Sequence, residues 1–109
     1  MNLYALAWLK AFAFTQIIEA PVYRRAGCTW AGALAASALT HPVLWFVIFP
    51  HVSIGYVAKA VVGEVFAWAV EALWLRFALR VPRAWLWSLV ANGLSFSLGL
   101  ASRALFGWP

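Results

Sequence analysis

The sequence predicts an all-α polytopic membrane protein, a four-helix transmembrane bundle with short loops; its composition and its charge spacing both indicate this. Of the 109 residues, 66% are hydrophobic and 10% are charged, whereas a soluble domain is about 45–50% apolar and about 25% charged. So few polar side chains do not cover a surface in water, which excludes a soluble domain. The single cysteine, Cys28, excludes an internal disulfide framework.

The four predicted helices follow from two charge-free runs and from the apolar stretches that flank them. Residues 26–58 and 84–102 contain no Asp, Glu, Lys or Arg, and about 20 apolar residues are enough to cross a bilayer. The stretches before and after the first run are each long and apolar enough for one further helix. We expect one domain over residues 1–109, with helices at about 3–23, 29–49, 54–80 and 84–106.

Two prolines and a lysine mark the first two helices. Pro21 is expected to kink or end the first helix and Pro42 to kink the second, because proline removes a helical hydrogen bond. Lys10 interrupts the first apolar stretch, and no basic segment precedes it. We therefore expect the first helix to be retained rather than cleaved as a signal peptide.

The arginines indicate which way the helices face. Arg24, Arg25, Arg76, Arg80 and Arg83 lie in or beside the first and third loops, and cytoplasmic loops collect Lys and Arg. We therefore predict a multi-pass protein of the inner (cytoplasmic) membrane, with these two loops inside and both termini outside. Topology explains most of the positive charge, so no nucleic-acid partner is expected.

All three acidic residues, Glu19, Glu64 and Glu71, lie within predicted spans. An ionisable group there costs about 2.5–3.5 kcal/mol on insertion scales, so such groups face the bundle interior and mark functional sites. Glu64 and Glu71 share one helical face, roughly 10 Å apart along the axis. That separation is too long for the two carboxyls to share one proton. It suits two successive proton- or ion-binding positions along a path. Glu19 is expected near the inner surface, beside Arg24 and Arg25.

Polar residues on the second and fourth helices extend this pattern. Thr40 and His41 are adjacent on the second helix. On the fourth helix, small and polar residues recur at steps of four and three, which predicts an inward face that packs closely against other helices. This seam consists of Ser88, Asn92, Ser95, Gly99 and Ser102.

Depth along the helices suggests two contacts. Glu71 and Asn92 lie at similar depths in the inner half of the membrane, so we predict that they touch. Lys10 and Glu64 lie at similar depths in the outer half, and we predict an ion pair between them, within one chain or between subunits.

These residues lead to two hypotheses of function. In the first, the protein is a small transporter or an ion- or proton-conducting protein that moves a cation or small solute. Its path would be lined by Glu64, Glu71, His41, Thr40, Asn92 and Glu19. In the second, it is a non-catalytic accessory or assembly subunit of a larger membrane complex. Both hypotheses imply contact with the lipid bilayer and association into a homo-oligomer or a larger complex.

Catalysis, metal binding and a cofactor are not expected. The chain has no Asp and no metal-ligand spacing such as HExxH, and a hydrolase inside the membrane would require Glu19 to converge with Glu64 or Glu71. Cys28 is either a small apolar residue or a thiol whose pKa the nearby Arg24 and Arg25 lower.

The length, the four-helix plan and the Glu19 carboxyl on the first helix resemble the small multidrug resistance exporters. The resemblance covers length and topology, and it implies a dimeric membrane exporter. The sequence departs from that family in placing Glu19 late in its helix, and in carrying Glu64 and Glu71 on the third helix. It also lacks the family's glycine-rich motif there, so no residue role is carried over.

Overall fold

Four helices form the described chain. The structure, a computed structural model, describes residues 2–108, of which 85% are helical and none lies in a strand. The predicted helix ends differ from the observed ends by at most two residues. The helices are α1 (Leu3–Arg25), α2 (Trp30–His51), α3 (56–78) and α4 (Ala84–Phe106).

Each helix packs against its two neighbours in the order of the chain, and α4 packs back against α1. The loops at 26–29, 52–55 and 79–83 are short, so successive helices run antiparallel. Loops 26–29 and 79–83 therefore share one end of the bundle, which we call the arginine end. The second loop, the start of α1 and the end of α4 lie at the other end, which we call the terminal end.

The prolines do not interrupt the helices. Helix α1 continues through Pro21 to Arg25, so Pro21 does not end it. Helix α2 continues through Pro42, and the residues Leu44–Ile48 that follow Val43 widen into a π-helical turn. A π-turn accommodates the local disturbance without ending the helix.

Small side chains let the helices approach closely at the arginine end. Gly32 shows this best, since a Cβ atom there would lie 2.8 Å from Cδ1 of Leu79. The Trp74 indole N–H donates to the Gly32 carbonyl at 3.1 Å. The surrounding core is almost fully buried and consists of Ala20, Tyr23, Cys28, Ala33, Ala36, Leu75, Val81, Ala84 and Ala91.

The outer surface of the bundle is apolar. Helices α2 and α4 are each long and apolar enough to cross a membrane, and in the most apolar part of α4 only 17% of the residues are buried within the protein. Leu86, Leu89 and Leu105 on α4 are 53%, 52% and 73% exposed. The apolar character of these two helices is therefore directed outward rather than into a core.

Candidate functional site

A cavity of about 920 Å³ occupies the bundle from the terminal end inward, and all four helices line it. Its mouth is formed by residues of the terminal end, among them Tyr4, Pro50 and Tyr56. Its base is formed by Glu71 and Asn92. Beyond the base lies the close-packed core of the arginine end.

Every acidic residue of the chain lines this cavity. Glu19 and Glu71 are each 1% exposed, and Glu64 is half-buried on the wall. Of the other residues placed on the path, His41 and Asn92 also line the cavity. Thr40 is fully buried and reaches the site through its hydrogen bond to Glu71.

Glu71 is surrounded by donors from the other three helices. Tyr23 Oη donates to its Oε1 at 2.6 Å, and Thr40 Oγ1 donates to its Oε2 at 2.7 Å. The amide of Asn92 donates to Oε1 at 3.3 Å, so the predicted contact between Glu71 and Asn92 is present. Both carboxyl oxygens thus accept hydrogen bonds, the arrangement that stabilises an ionised carboxylate.

The Glu19 side chain is 1% exposed and faces the interior of the bundle. Ser95 Oγ donates to its Oε2 at 2.5 Å. Ser95 lies one helical turn from Asn92, which donates to Glu71, and Glu19 and Glu71 both line the cavity. The depth of Glu19 in the membrane, near the inner surface, stays a prediction.

His41 occupies the α1–α2 wall of the cavity. Its Nε2 lies 3.1 Å from Thr15 Oγ1, and its ring packs against Phe12 with the centroids 5.5 Å apart. Its Nδ1 is buried and has no hydrogen-bond partner among residues 2–108. His41 is therefore held in place by a hydrogen bond at Nε2. The proton or lone pair of Nδ1 makes no hydrogen bond to another described residue.

Two cations lie at the mouth. Lys59 Nζ donates to the Phe49 carbonyl at 2.9 Å, and the Arg103 guanidinium lies 5.7 Å from the centroid of the Tyr56 ring. The sequence analysis did not include Lys59 or Arg103 among the site residues.

The proposed partners Lys10 and Glu64 are not joined within this chain. Lys10 is exposed on α1, whereas Glu64 lines the cavity. No hydrogen bond or ion pair links the two side chains in the part of the protein that the structure describes. A pair formed between subunits stays a prediction.

The predicted seam of α4 divides into two parts. Ser88, Asn92 and Ser95 are buried, at 0%, 4% and 8% exposure, and Ser88 Oγ donates to the Trp68 carbonyl on α3 at 2.8 Å. Gly99 and Ser102 are half-buried, and Gly99 lines the cavity. The seam therefore packs α4 against the bundle at the base and borders the cavity above it.

Tyr23 is the site residue that sequence reasoning missed. Its side chain is fully buried and it donates the shortest hydrogen bond to Glu71. It follows Glu19 by one helical turn, so the two side chains share a face of α1. That spacing was the available signal, and the position of Tyr23 beside Arg24 and Arg25 obscured it by indicating an interfacial aromatic.

Cys28 packs in the core of the arginine end and is 2% exposed. Arg24 Nη1 donates to the Cys28 carbonyl oxygen at 2.9 Å. Burial raises the pKa of the Cys28 thiol, so the alternative in which Arg24 and Arg25 lower it is wrong.

Comparison with protein-family profiles, with curated proteins and with solved structures finds no match to this chain. Within residues 2–108, no three His, Cys, Asp or Glu side chains are grouped so as to hold a metal ion. The cavity and its three carboxyl groups are therefore the candidate functional site.

Proposed function

We propose that the protein is a small multi-pass membrane transporter or ion-conducting protein that uses the Glu19–Glu71 carboxyl pair and Glu64. One observation carries the proposal: all three acidic residues of the chain line the same cavity. Carboxyl groups inside a membrane are costly, and buried structural contacts between helices can be made by Ser, Asn or Gln. Three carboxyls around one cavity indicate proton or cation handling.

The outer surface supports the membrane location. Apolar side chains cover the outside of α2 and α4, and soluble monomers rarely expose so large an apolar surface. The bundle is 36 Å in its longest dimension, against about 30 Å for the hydrocarbon core of a bilayer. With the arginine end in the cytoplasm of the cell, both termini and the mouth of the cavity face outward.

The cavity suits a small solute. Its volume of about 920 Å³ lies within the range of about 300–1,000 Å³ that is typical of small-molecule sites. Aromatic side chains, among them Phe14, Trp45 and Phe49, line the wall above the carboxyls. A proton, a cation or a small cationic solute fits a site with carboxyls at its base and aromatic rings along its wall.

The accessory-subunit hypothesis has less support from the position of the charges. A subunit that binds a partner through buried charges would present them on its outer surface, whereas Glu19 and Glu71 are each 1% exposed. A partner would instead contact the apolar outer faces of the helices. Because lipid can cover these faces equally well, they do not indicate a protein partner.

Catalysis by the carboxyl pair is the second candidate, and the position of Glu19 and Glu71 on one cavity favours it. Two carboxyls that share a site can act as acid and base toward water. Hydrolysis would proceed in detergent without any gradient, whereas transport would not, so an assay in detergent separates the two functions.

The test is proton and cation flux into vesicles that contain the purified protein. We expect flux above that of empty vesicles, and a loss of flux in Glu71→Gln and Glu64→Gln with the native oligomeric mass unchanged. Arg76→Gln, at an exposed ionisable position that does not line the cavity, is the matched control and should retain flux. Purification of the chain only within a hetero-complex, with no flux in vesicles, would favour the accessory role instead.

A further inference from the structure

The base of the cavity contains two carboxyl groups with different surroundings. Glu71 accepts three hydrogen bonds, from Tyr23, Thr40 and Asn92, and both of its oxygens have a donor. Glu19 accepts one, from Ser95 to Oε2, and its Oε1 is buried with no donor. Donors therefore favour negative charge on Glu71 and leave Glu19 poorly supported as an anion.

The two carboxyls also lie close together. Ser95, which donates to Glu19, is one helical turn from Asn92, which donates to Glu71, and both carboxyls line the cavity. Two ionised carboxyls that are close together in a protein interior repel each other strongly. A hydrogen bond between carboxyl groups requires one of them to carry a proton. A proton on Glu19 supplies that donor and removes the repulsion at the same time.

We propose that Glu19 and Glu71 form a proton-binding pair that holds one proton at neutral pH, with the proton on Glu19 and the negative charge on Glu71. The unpartnered, almost fully buried oxygen of Glu19 is explained by this arrangement, because the protonated group donates to Glu71 and needs no donor of its own. Both carboxyls line the cavity, so this proton exchanges with the space that opens at the terminal end.

No cation replaces the proton. The ionisable groups that face the cavity near the pair are Tyr23 on α1, His41 on α2, Lys59 and Glu64 on α3, and Arg103 on α4. Lys59 donates to a backbone carbonyl and Arg103 stacks on an aromatic ring at the mouth. Within residues 2–108, neither Glu19 nor Glu71 accepts a hydrogen bond from a cationic side chain.

Infrared spectroscopy tests the pair directly, since a protonated carboxyl has a C=O band that a carboxylate lacks. In detergent at pH 7 we expect such a band that is lost in Glu19→Gln and retained in Glu64→Gln. Ser95→Ala removes the donor to Oε2 but leaves the proton, so it should shift the band without abolishing it. A wild type without the band, or a band that survives when Glu19→Gln is combined with Glu64→Gln, would overturn the proposal.

The proton should also appear in the unfolding equilibrium. A free carboxyl in an unfolded chain is ionised at neutral pH, so the folded state binds one more proton than the unfolded state and stability falls as pH rises. Between pH 7 and pH 8 the pair should lower the folding equilibrium constant about tenfold per pH unit. Glu19→Gln should remove this contribution and Glu64→Gln should not; equal pH slopes in wild type and Glu19→Gln would contradict it.

The inference concerns the cavity of the proposed function, but its test needs no transport. A protein that shows the infrared band without moving any ion would refute the function and keep the proton pair. A protein that conducts ions but lacks the infrared band would support the proposed function and refute the proton pair.

Discussion

The Tyr23 hydroxyl on α1 donates a 2.6 Å hydrogen bond across the bundle to Oε1 of Glu71 on α3. Both side chains are almost completely buried. Since α1 and α3 are not neighbours in the ring of helices, this bond joins opposite sides of the bundle. It lies between the cavity and the packed core of the arginine end, and it fixes the base of the cavity.

Tyr23→Phe should destabilise the protein, because it removes one donor from a buried carboxylate and leaves the ring packing unchanged. Hydrogen bonds to charged groups contribute about 1.5–3 kcal/mol, and we expect a loss of that size in the free energy of unfolding in detergent. Tyr4→Phe is the control, since the Tyr4 hydroxyl donates to the Trp45 carbonyl at an exposed position. A loss no larger in Tyr23→Phe than in Tyr4→Phe would contradict the buried role.

Gly63→Leu should obstruct the cavity and lower stability. A Cβ atom at Gly63 would lie 3.1 Å from the Phe49 ring, so a larger side chain overpacks the wall, at a cost of about 1–3 kcal/mol. Gly93→Leu is the matched control, because nothing lies within 4 Å of its added Cβ. Flux and the thermal unfolding temperature should both be lower in Gly63→Leu and near wild type in Gly93→Leu. The reverse ranking would contradict the position of Gly63 in the cavity wall.

Cys28 should react slowly with a maleimide in the folded protein. Its thiol is buried, and burial raises its pKa, so the reactive thiolate is scarcer at a given pH than in a free cysteine. Labelling should accelerate as pH rises and reach the rate of free cysteine on denaturation. Fast labelling at pH 7 in the native protein would show that loop 26–29 is open.

The orientation can be tested with single cysteines in a Cys28→Ala background. Ser53→Cys places a thiol in the second loop, and Pro82→Cys places one in the third; both positions are exposed. With the arginine end inside, a membrane-impermeant maleimide added to intact cells should label position 53 and leave position 82 unlabelled until the membrane is permeabilised. The opposite pattern would invert the proposed topology.

The helices could be predicted from the sequence, because charge-free runs and arginine-rich loops mark them directly; the bounds of α4 are the predicted ones. The contact between Glu71 and Asn92 could also be predicted, since it depends on depth and on one inward face of α4. The position of Glu19 and Glu71 on one cavity could not, because it depends on how α1 is rotated about its axis. Pro21 and the nearby arginines indicated an interfacial depth for Glu19, and depth does not specify which way its side chain faces.

The two ends of the bundle are packed differently. This asymmetry determines from which end protons and ions can reach the carboxyls of the cavity. Leu75 and Ala84 are at most 1% exposed at the arginine end, whereas Tyr4 and Tyr56 line the cavity at the terminal end. In the proposed transporter, the carboxyls would exchange protons and ions from the terminal end. A solute released at the arginine end would require the alanine-rich contacts of the core to separate, so that core would be the barrier to leakage.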